Sequence, residues 1–400
     1  MKNTFIYLIL ITGLTAIMFT GCHESNTVVI NKKETLTKQE ETQVNKGDKP
    51  NLSENLDDEL IPDNRNSSWI NIYRHNVKLV PYTGKIEHVF IHPLIAYPEL
   101  AFDGDSQSLG FDDWFITIRE FNKILDSLYE KDFILVDINK AYEEMEQNGI
   151  KIIKRKPLML PEGKKPIILS LDDVNYYKYM IENGIVYKLI IDENGDLATY
   201  SKNPQGEKVI SKENESITIL NEFVKKHPDF SSEGAKGIIA LTGYEGILGY
   251  RTNVNGVNRE VEIGSVKKII NKLKTEGWTF ASHSYGHPNL SQITEQQLVN
   301  DTIKWKNEVE SLIGCTQVYI YPFGAAVTKD NVKFQYLQSQ GFKIFCAVGS
   351  SSYEEIPANS DVVITDRRHI DGVSLRNQRV SFLDLYDAEK IIDLNTRPKR

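Results

Sequence analysis

Two histidines separated by three residues, in His283-Ser284-Tyr285-Gly286-His287, can present both imidazoles on one side of a helical turn or a tight loop. A carboxylate arriving from elsewhere would complete a three-donor facial site with coordination positions left open for water, which is the layout of a hydrolytic metal centre. Chance competes with that reading, because 8 His in 400 residues give ~0.16 such pairs by random placement, so the surrounding sequence has to carry the rest. Pro166-Ile167-Ile168-Leu169-Ser170-Leu171 has the composition of a strand buried on both faces, and Asp172-Asp173 stand where it would leave a sheet. Trp278-Thr279-Phe280-Ala281 is also strand-like and delivers His283 and His287 just past its end. Loops at the carboxyl ends of parallel strands are where α/β barrels and open sheets carry their chemistry.

Taken singly, each motif has a plainer use. Asp172-Asp173 suits the start of a loop or a helix cap. His287-Pro288-Asn289 suits a helix lead-in, and Tyr321-Pro322-Phe323-Gly324 a strand running into a turn.

In combination, Leu171-Asp172-Asp173, His283-Ser284-Tyr285-Gly286-His287 and Tyr321-Pro322-Phe323-Gly324 resemble the first three motifs of the NodB-type polysaccharide deacetylases, carbohydrate esterase family 4, in order and approximate spacing. The likeness runs over roughly residues 85 to 375. It implies a distorted (β/α) barrel of about seven parallel strands and the removal of N-acetyl groups from amino-sugar units of a cell-surface polysaccharide. It also implies a divalent metal, usually zinc, held by Asp173, His283 and His287, with Asp172 as general base toward a metal-activated water. The backbone N–H of Phe323 would face the developing oxyanion, and Tyr285, Tyr321 and Pro322 are candidates for contact with substrate.

The chain departs from the family at Ile320, where many members carry an arginine that pairs with the catalytic aspartate. Arg367 or Arg368, in Thr365-Asp366-Arg367-Arg368-His369-Ile370-Asp371-Gly372, is the candidate substitute. His369 stands where the last family motif often supplies a general acid, although a solvated charged turn is an equal reading of that stretch. Two rivals follow from the same residues: a catalytically silent carbohydrate-binding lipoprotein on the same scaffold, and an amidase acting on a small amide in a closed pocket.

The elements needed to position these groups are readable from periodicity. Phe121, Ile124, Leu125 and Leu128 line one helix, Val266, Ile269, Ile270 and Leu273 another ended by Gly277, and Thr294 with Gln297 opens a third that buries Leu298, Trp305, Val309 and Leu312. Residues 133–138 read as a strand and 141–147 as a polar helix. Alternating strands and helices argue for a parallel sheet with right-handed crossovers. An insertion at about 181–236 follows the aspartate motif and contains a hairpin signal, Asp192-Glu193-Asn194-Gly195-Asp196. The glycine-rich stretch 243–256 is expected to form a second, mobile wall. Tyr176, Tyr177, Tyr285 and Trp114 offer rings that could stack on sugars. His92, in Phe90-Ile91-His92-Pro93, reads as a hydrogen-bonded core histidine, with a place near the barrel mouth, by analogy, as the alternative.

At the N-terminus, Lys2 precedes an apolar stretch too short for a comfortable span, followed by Phe19-Thr20-Gly21-Cys22. This resembles a bacterial lipoprotein signal: residues 1–21 would be removed and Cys22 lipidated, placing the protein outside the cytoplasm and holding it to the membrane through the lipid. Residues 22–66 are polar and poor in large apolar groups, and read as a flexible linker. Residues 67–400 are long enough for one catalytic domain. Cys346 sits in an apolar strand-like run where a thiol acts as a small hydrophobe. A net charge of -8 argues against nucleic acid or an anionic polymer as partner.

Overall fold

The computed structural model describes residues 77–253 and 258–399, so the signal, Cys22 and the linker lie outside the described residues. Seven strands form the centre: β1 (Glu87–Ile91), β2 (Lys165–Asp172), β3 (Ile238–Leu241), β4 (Thr279–Ser282), β5 (Val318–Ile320), β6 (Ile344–Val348) and β7 (Val363–His369). Each pairs in parallel with its successor, and β7 returns to pair with β1 through Arg368 opposite Val89 and His369 opposite Phe90. The result is a closed barrel of seven parallel strands whose order round the wall is the order along the chain.

Closure explains the composition of the strands. Alternate residues face opposite sides of a strand, and in a barrel wrapped by helices both sides are dry. Ile168, Ile238, Ala240, Ala281, Val318, Ile320, Ile344, Cys346 and Val363 pack together as one inner cluster, while their neighbours Ile167, Leu169, Leu171, Ile239, Leu241, Tyr319 and Phe345 join the layer between wall and helices. The barrel is distorted at one seam. On one edge of β2 its first residues pair with a short strand, Phe133–Leu135, and only Ser170–Asp172 reach β3. The extra strand therefore wedges β2 and β3 apart at the amino ends while they meet at the carboxyl ends, where the aspartates are.

The connecting helices are α1 (Ile118–Glu130), α2 (Ser216–Lys226), α3 (Arg259–Thr275), α4 (Glu295–Trp305) and α5 (Val332–Ser339). Capping boxes start α1, with Thr117 and Glu120, and α4, with Thr294 and Gln297. The expected apolar faces of α1 and α3 are the buried ones. Beyond Trp305 the helix widens into a π-turn at Lys306–Glu310, and Gly314 ends it at φ 79°. The insertion holds the expected hairpin, Lys188–Ile191 against Leu197–Lys202, extended by a third antiparallel strand, Lys208–Ser211, and by α2.

Two readings of the sequence are corrected. Residues 141–147 form no helix: Tyr142–Gln147 pairs with Ile150–Arg155 in a hairpin turned by Asn148 and Gly149, both at positive φ. The Asn-Gly pair was the decisive signal there, since it supplies the two left-handed residues of a tight turn. The strand at 133–138 ends at Leu135, because the chain turns into a short 3-10 turn at Ile138–Lys140 capped by Asp137.

Gly277 joins α3 to the β4 approach at φ +92°, and a Cβ there would lie 1.9 Å from the Gly234 carbonyl oxygen. Both the backbone region and the space exclude a side chain. Gly277→Ala should lower the unfolding free energy by roughly 1–3 kcal/mol, measured by urea denaturation; an unchanged midpoint would contradict this account of the turn.

Candidate metal centre and its surroundings

The carboxyl ends of β2 and β4 bring the sequence motifs together. One donor atom each from Asp173, His283 and His287 lies within 4.8 Å of the others. Consecutive residues on a strand point to opposite sides, so Asp172 and Asp173 could not both face the mouth if β2 continued. Asp173 breaks the alternation by taking φ 60°, and Ser284 and His287 make equivalent left-handed steps at φ 64° and 53°. Such positions are tolerated by Asp and His better than by most residues and concentrate at functional sites.

Each donor is held by a further group. His283 Nδ1 lies 2.9 Å from the Ile320 carbonyl oxygen, so that nitrogen carries the proton and Nε2 is left with a lone pair for a cation. Tyr177 donates its hydroxyl to Asp173 Oδ1 at 2.7 Å, while Asp173 Oδ2 stands 3.7 Å from His287 Nε2. The loop carrying the histidines is gripped by Asp301 of α4, which accepts from the backbone N–H of Tyr285 and of Gly286, each at 2.8 Å, and from the Ser284 hydroxyl. The donor set, its fixed tautomer at His283 and its supporting hydrogen bonds fit a divalent cation such as zinc.

Asp172 belongs to the barrel interior. Its carboxylate is buried and receives Arg367 in a two-pronged pair, Nη1 to Oδ1 at 2.8 Å and Nη2 to Oδ2 at 2.9 Å. Arg367 is wholly buried, lies over the Phe90 ring at 4.1 Å, and also donates to Ser170 Oγ at 3.0 Å. Of the two arginines named as substitutes for the missing one at Ile320, the structure brings Arg367 to the aspartate and sends Arg368 to Glu87 and Asp384. Alternation along β7 accounts for the split, since neighbouring residues leave the strand on opposite sides. Burial works against the Asp172 charge, but the Arg367 guanidinium and the nearby His283 outweigh it and hold the carboxyl far below the usual carboxylate range.

His369 is placed beside the centre. Its Nδ1 lies 2.9 Å from Asp371 Oδ2 and its ring stacks on Phe90 at 4.1 Å. Its Nε2, however, meets His92 Nδ1 at 3.2 Å. His92 is not the core histidine that the sequence suggested: following His88 and Phe90 at period two, it rises to the mouth, with Nε2 3.9 Å from Asp173 Oδ2. Burial and the adjacent His369 lower its imidazole to about 4.

The substrate-contact candidates divide. The Tyr285 ring is buried under Lys304, and its hydroxyl donates to Glu308 at 2.9 Å. Tyr321 is buried against Tyr319 and Phe345, and Pro322 is buried too. These three side chains therefore do not offer a surface to a polymer. Tyr176 and Tyr177 are likewise buried, whereas Trp114 is 52% exposed and Phe323 is 70% exposed with its ring against His287. Within the described part of the glycine-rich segment, Leu248 N–H donates to Val174, Gly249 N–H to Asn175 and the Tyr250 hydroxyl to Leu189. Asp301, Asp371 and the orienting use of Tyr177 had no local sequence signal, because each acts through a partner at least two residues away that only the fold brings near.

Comparison with known proteins agrees with the motifs. Residues 251–345 match the family model described as polysaccharide deacetylase. No curated protein matches the chain. Among solved structures it is similar to BA0330 from Bacillus anthracis at 13% identity and TM-score 0.42, covering 72% of this chain and 65% of that one. It is also similar to IcaB from Ammonifex degensii at 12% and 0.41, covering 76% and 98%, and to the Streptococcus pyogenes deacetylase PplD at 13% and 0.40, covering 73% and 94%. The chain thus spans 65% of the length of BA0330. The stretch that matches the polysaccharide deacetylase family model runs from residue 251 into β6, and so includes His283, His287 and the Tyr321-Pro322-Phe323-Gly324 turn of the seven-stranded barrel.

The buried pair makes a pH prediction. A depressed aspartate contributes stability that is present above its unfolded-state value and lost only as pH falls through the folded-state one. Asp172→Asn should therefore destabilise by about 3 kcal/mol near neutrality. The deficit should begin to narrow as pH falls through the ordinary carboxylate range and vanish only well below it. Denaturation of both proteins across that range would show it, and a deficit that grew on acidification would contradict the assignment.

Proposed function

We propose that this protein is a zinc-dependent deacetylase that hydrolyses N-acetyl groups on amino-sugar units of a cell-surface polysaccharide, and that it works outside the cytoplasm from a lipid anchor at Cys22. The observation that carries the reading is the juxtaposition of the Asp173, His283 and His287 donors with a second, arginine-clamped aspartate at the same barrel mouth.

Asp173, His283 and His287 would hold a zinc ion, which when bound would supply Lewis-acid chemistry toward the amide carbonyl and water. The Arg367 guanidinium favours the ionised form of Asp172, as a base requires, and fixes the orientation of its oxygens. Asp172 takes the proton of the attacking water. Phe323, at φ 57° past Pro322, is the residue whose backbone N–H is assigned to the oxygen of the tetrahedral state. Collapse of that state breaks the carbon–nitrogen bond, releasing acetate and leaving the amine, with the proton that Asp172 took from the water passed on to the leaving nitrogen. Trp114 and Phe323 are apolar surfaces of the right kind for the faces of sugar rings.

The test is acetate release from a panel of peptidoglycan, poly-N-acetylglucosamine, chitin oligomers and acetylated xylan by the zinc-loaded protein. Asp172→Asn should lower turnover at least about a hundredfold while zinc is retained, whereas His283→Ala should lose the metal. Zinc lost from Asp172→Asn would mean that the two aspartates exchange roles; full activity and occupancy in His283→Ala would refute the centre.

A further inference from the structure

Beyond the three expected donors, a further imidazole, that of His92, faces the same space. Its orientation is fixed by a run of hydrogen bonds that starts outside the centre. Asp371 Oδ2 lies 2.9 Å from His369 Nδ1, and the same carboxylate, through Oδ1, accepts from Ser374 N–H as a helix cap, so it is locked in place. A carboxylate only accepts, so the His369 proton sits on Nδ1, and the Nε2 of the neutral ring carries a lone pair. That lone pair meets His92 Nδ1 at 3.2 Å. The Trp114 carbonyl oxygen meets the same nitrogen at 3.1 Å. Two acceptors converge on His92 Nδ1, which makes it the protonated nitrogen. Its Nε2 is then bare and directed toward the cradle, 3.9 Å from Asp173 Oδ2.

Two acceptor atoms facing one another across such a gap gain nothing from each other. They are complementary to a positive charge between or beside them. His287 Nε2 stands 3.7 Å from the same carboxylate oxygen. The ring itself is held on the other sides by Phe115, at a centroid distance of 5.3 Å, and by the edge of Phe90 at 6.1 Å, so it is not free to swing away.

Resting on the cation site proposed above, we infer that His92 is a further donor to the bound cation, and that Asp371, His369 and the Trp114 carbonyl are the positioning groups that fix its tautomer.

Zinc affinity of the purified protein, measured by competition with a chromogenic chelator, tests this without recourse to turnover. His92→Phe keeps a ring against Phe115 and removes both nitrogens; it should weaken zinc binding by about 10–100-fold with the thermal midpoint retained. Asp371→Asn, which no longer enforces the His369 tautomer while still able to cap the helix, should weaken it in the same direction by a smaller factor. Because a collapsed fold could mimic the first result, His92→Gln is the companion: its amide oxygen restores an acceptor, and recovery of part of the lost affinity is expected. Unchanged affinity in His92→Phe, or a loss that His92→Gln does not recover at all, overturns the inference. Absence of zinc from the unaltered protein would instead overturn the proposed centre itself, which separates the two failures.

Discussion

The buried pair between Asp172 and Arg367 is the constraint around which the barrel interior is organised. An ionised carboxylate inside a dry barrel costs several kcal/mol unless a counter-charge meets it with good geometry, and here both oxygens are met. The rest of the inner column follows from that demand. Ser170, one period below Asp172 on β2, accepts from the same guanidinium and touches His88, while Phe90 offers its face to the cation. Polar residues that would be unaffordable singly are tolerable as a connected set, because every one leans on another.

A comparable logic holds the Asp173 side of the mouth. Three left-handed residues place Asp173, Ser284 and His287 where ordinary strand or turn geometry would not. What offsets the local strain is the grip of Asp301 on successive backbone N–H groups and the hydroxyl of Tyr177 on Asp173. The cradle is therefore shaped before anything binds in it, with supporting groups drawn from a helix and from the loop after β2. Preorganisation of this kind is what lets a few hydrogen bonds count toward binding rather than being consumed in ordering the site.

The parts legible in the sequence were those written in local patterns. Strands of continuous apolar residues, the capping boxes at Thr117 and Thr294, the Gly277 stop and the motif aspartates and histidines all act over a few neighbouring positions. Arg367 could be named as a substitute but not chosen over Arg368, because the choice depends on which side of β7 faces inward. The hairpin at 142–155 was misread because its charged, exposed strands imitate a solvated helix, and the Asn148-Gly149 turn outweighs that resemblance. Tyr285 and Tyr321 seemed accessible because they adjoin site residues in the chain; adjacency along a strand or turn sends neighbouring side chains to opposite sides. His92 gains its meaning from the ring of His369, 277 positions away in sequence, and no local pattern announces such a meeting.

The counter-charge for Asp172 comes from β7, the strand that closes the ring against β1. Six strands can assemble without it, but they would enclose a carboxylate with nothing to balance it, and the incomplete wall would stay open to water at that point. In the folded chain β7 both closes the cylinder and supplies the charge that balances its interior. One strand thus serves both the continuity of the wall and the charge balance inside it, so a change that loosened β7 would be felt in both.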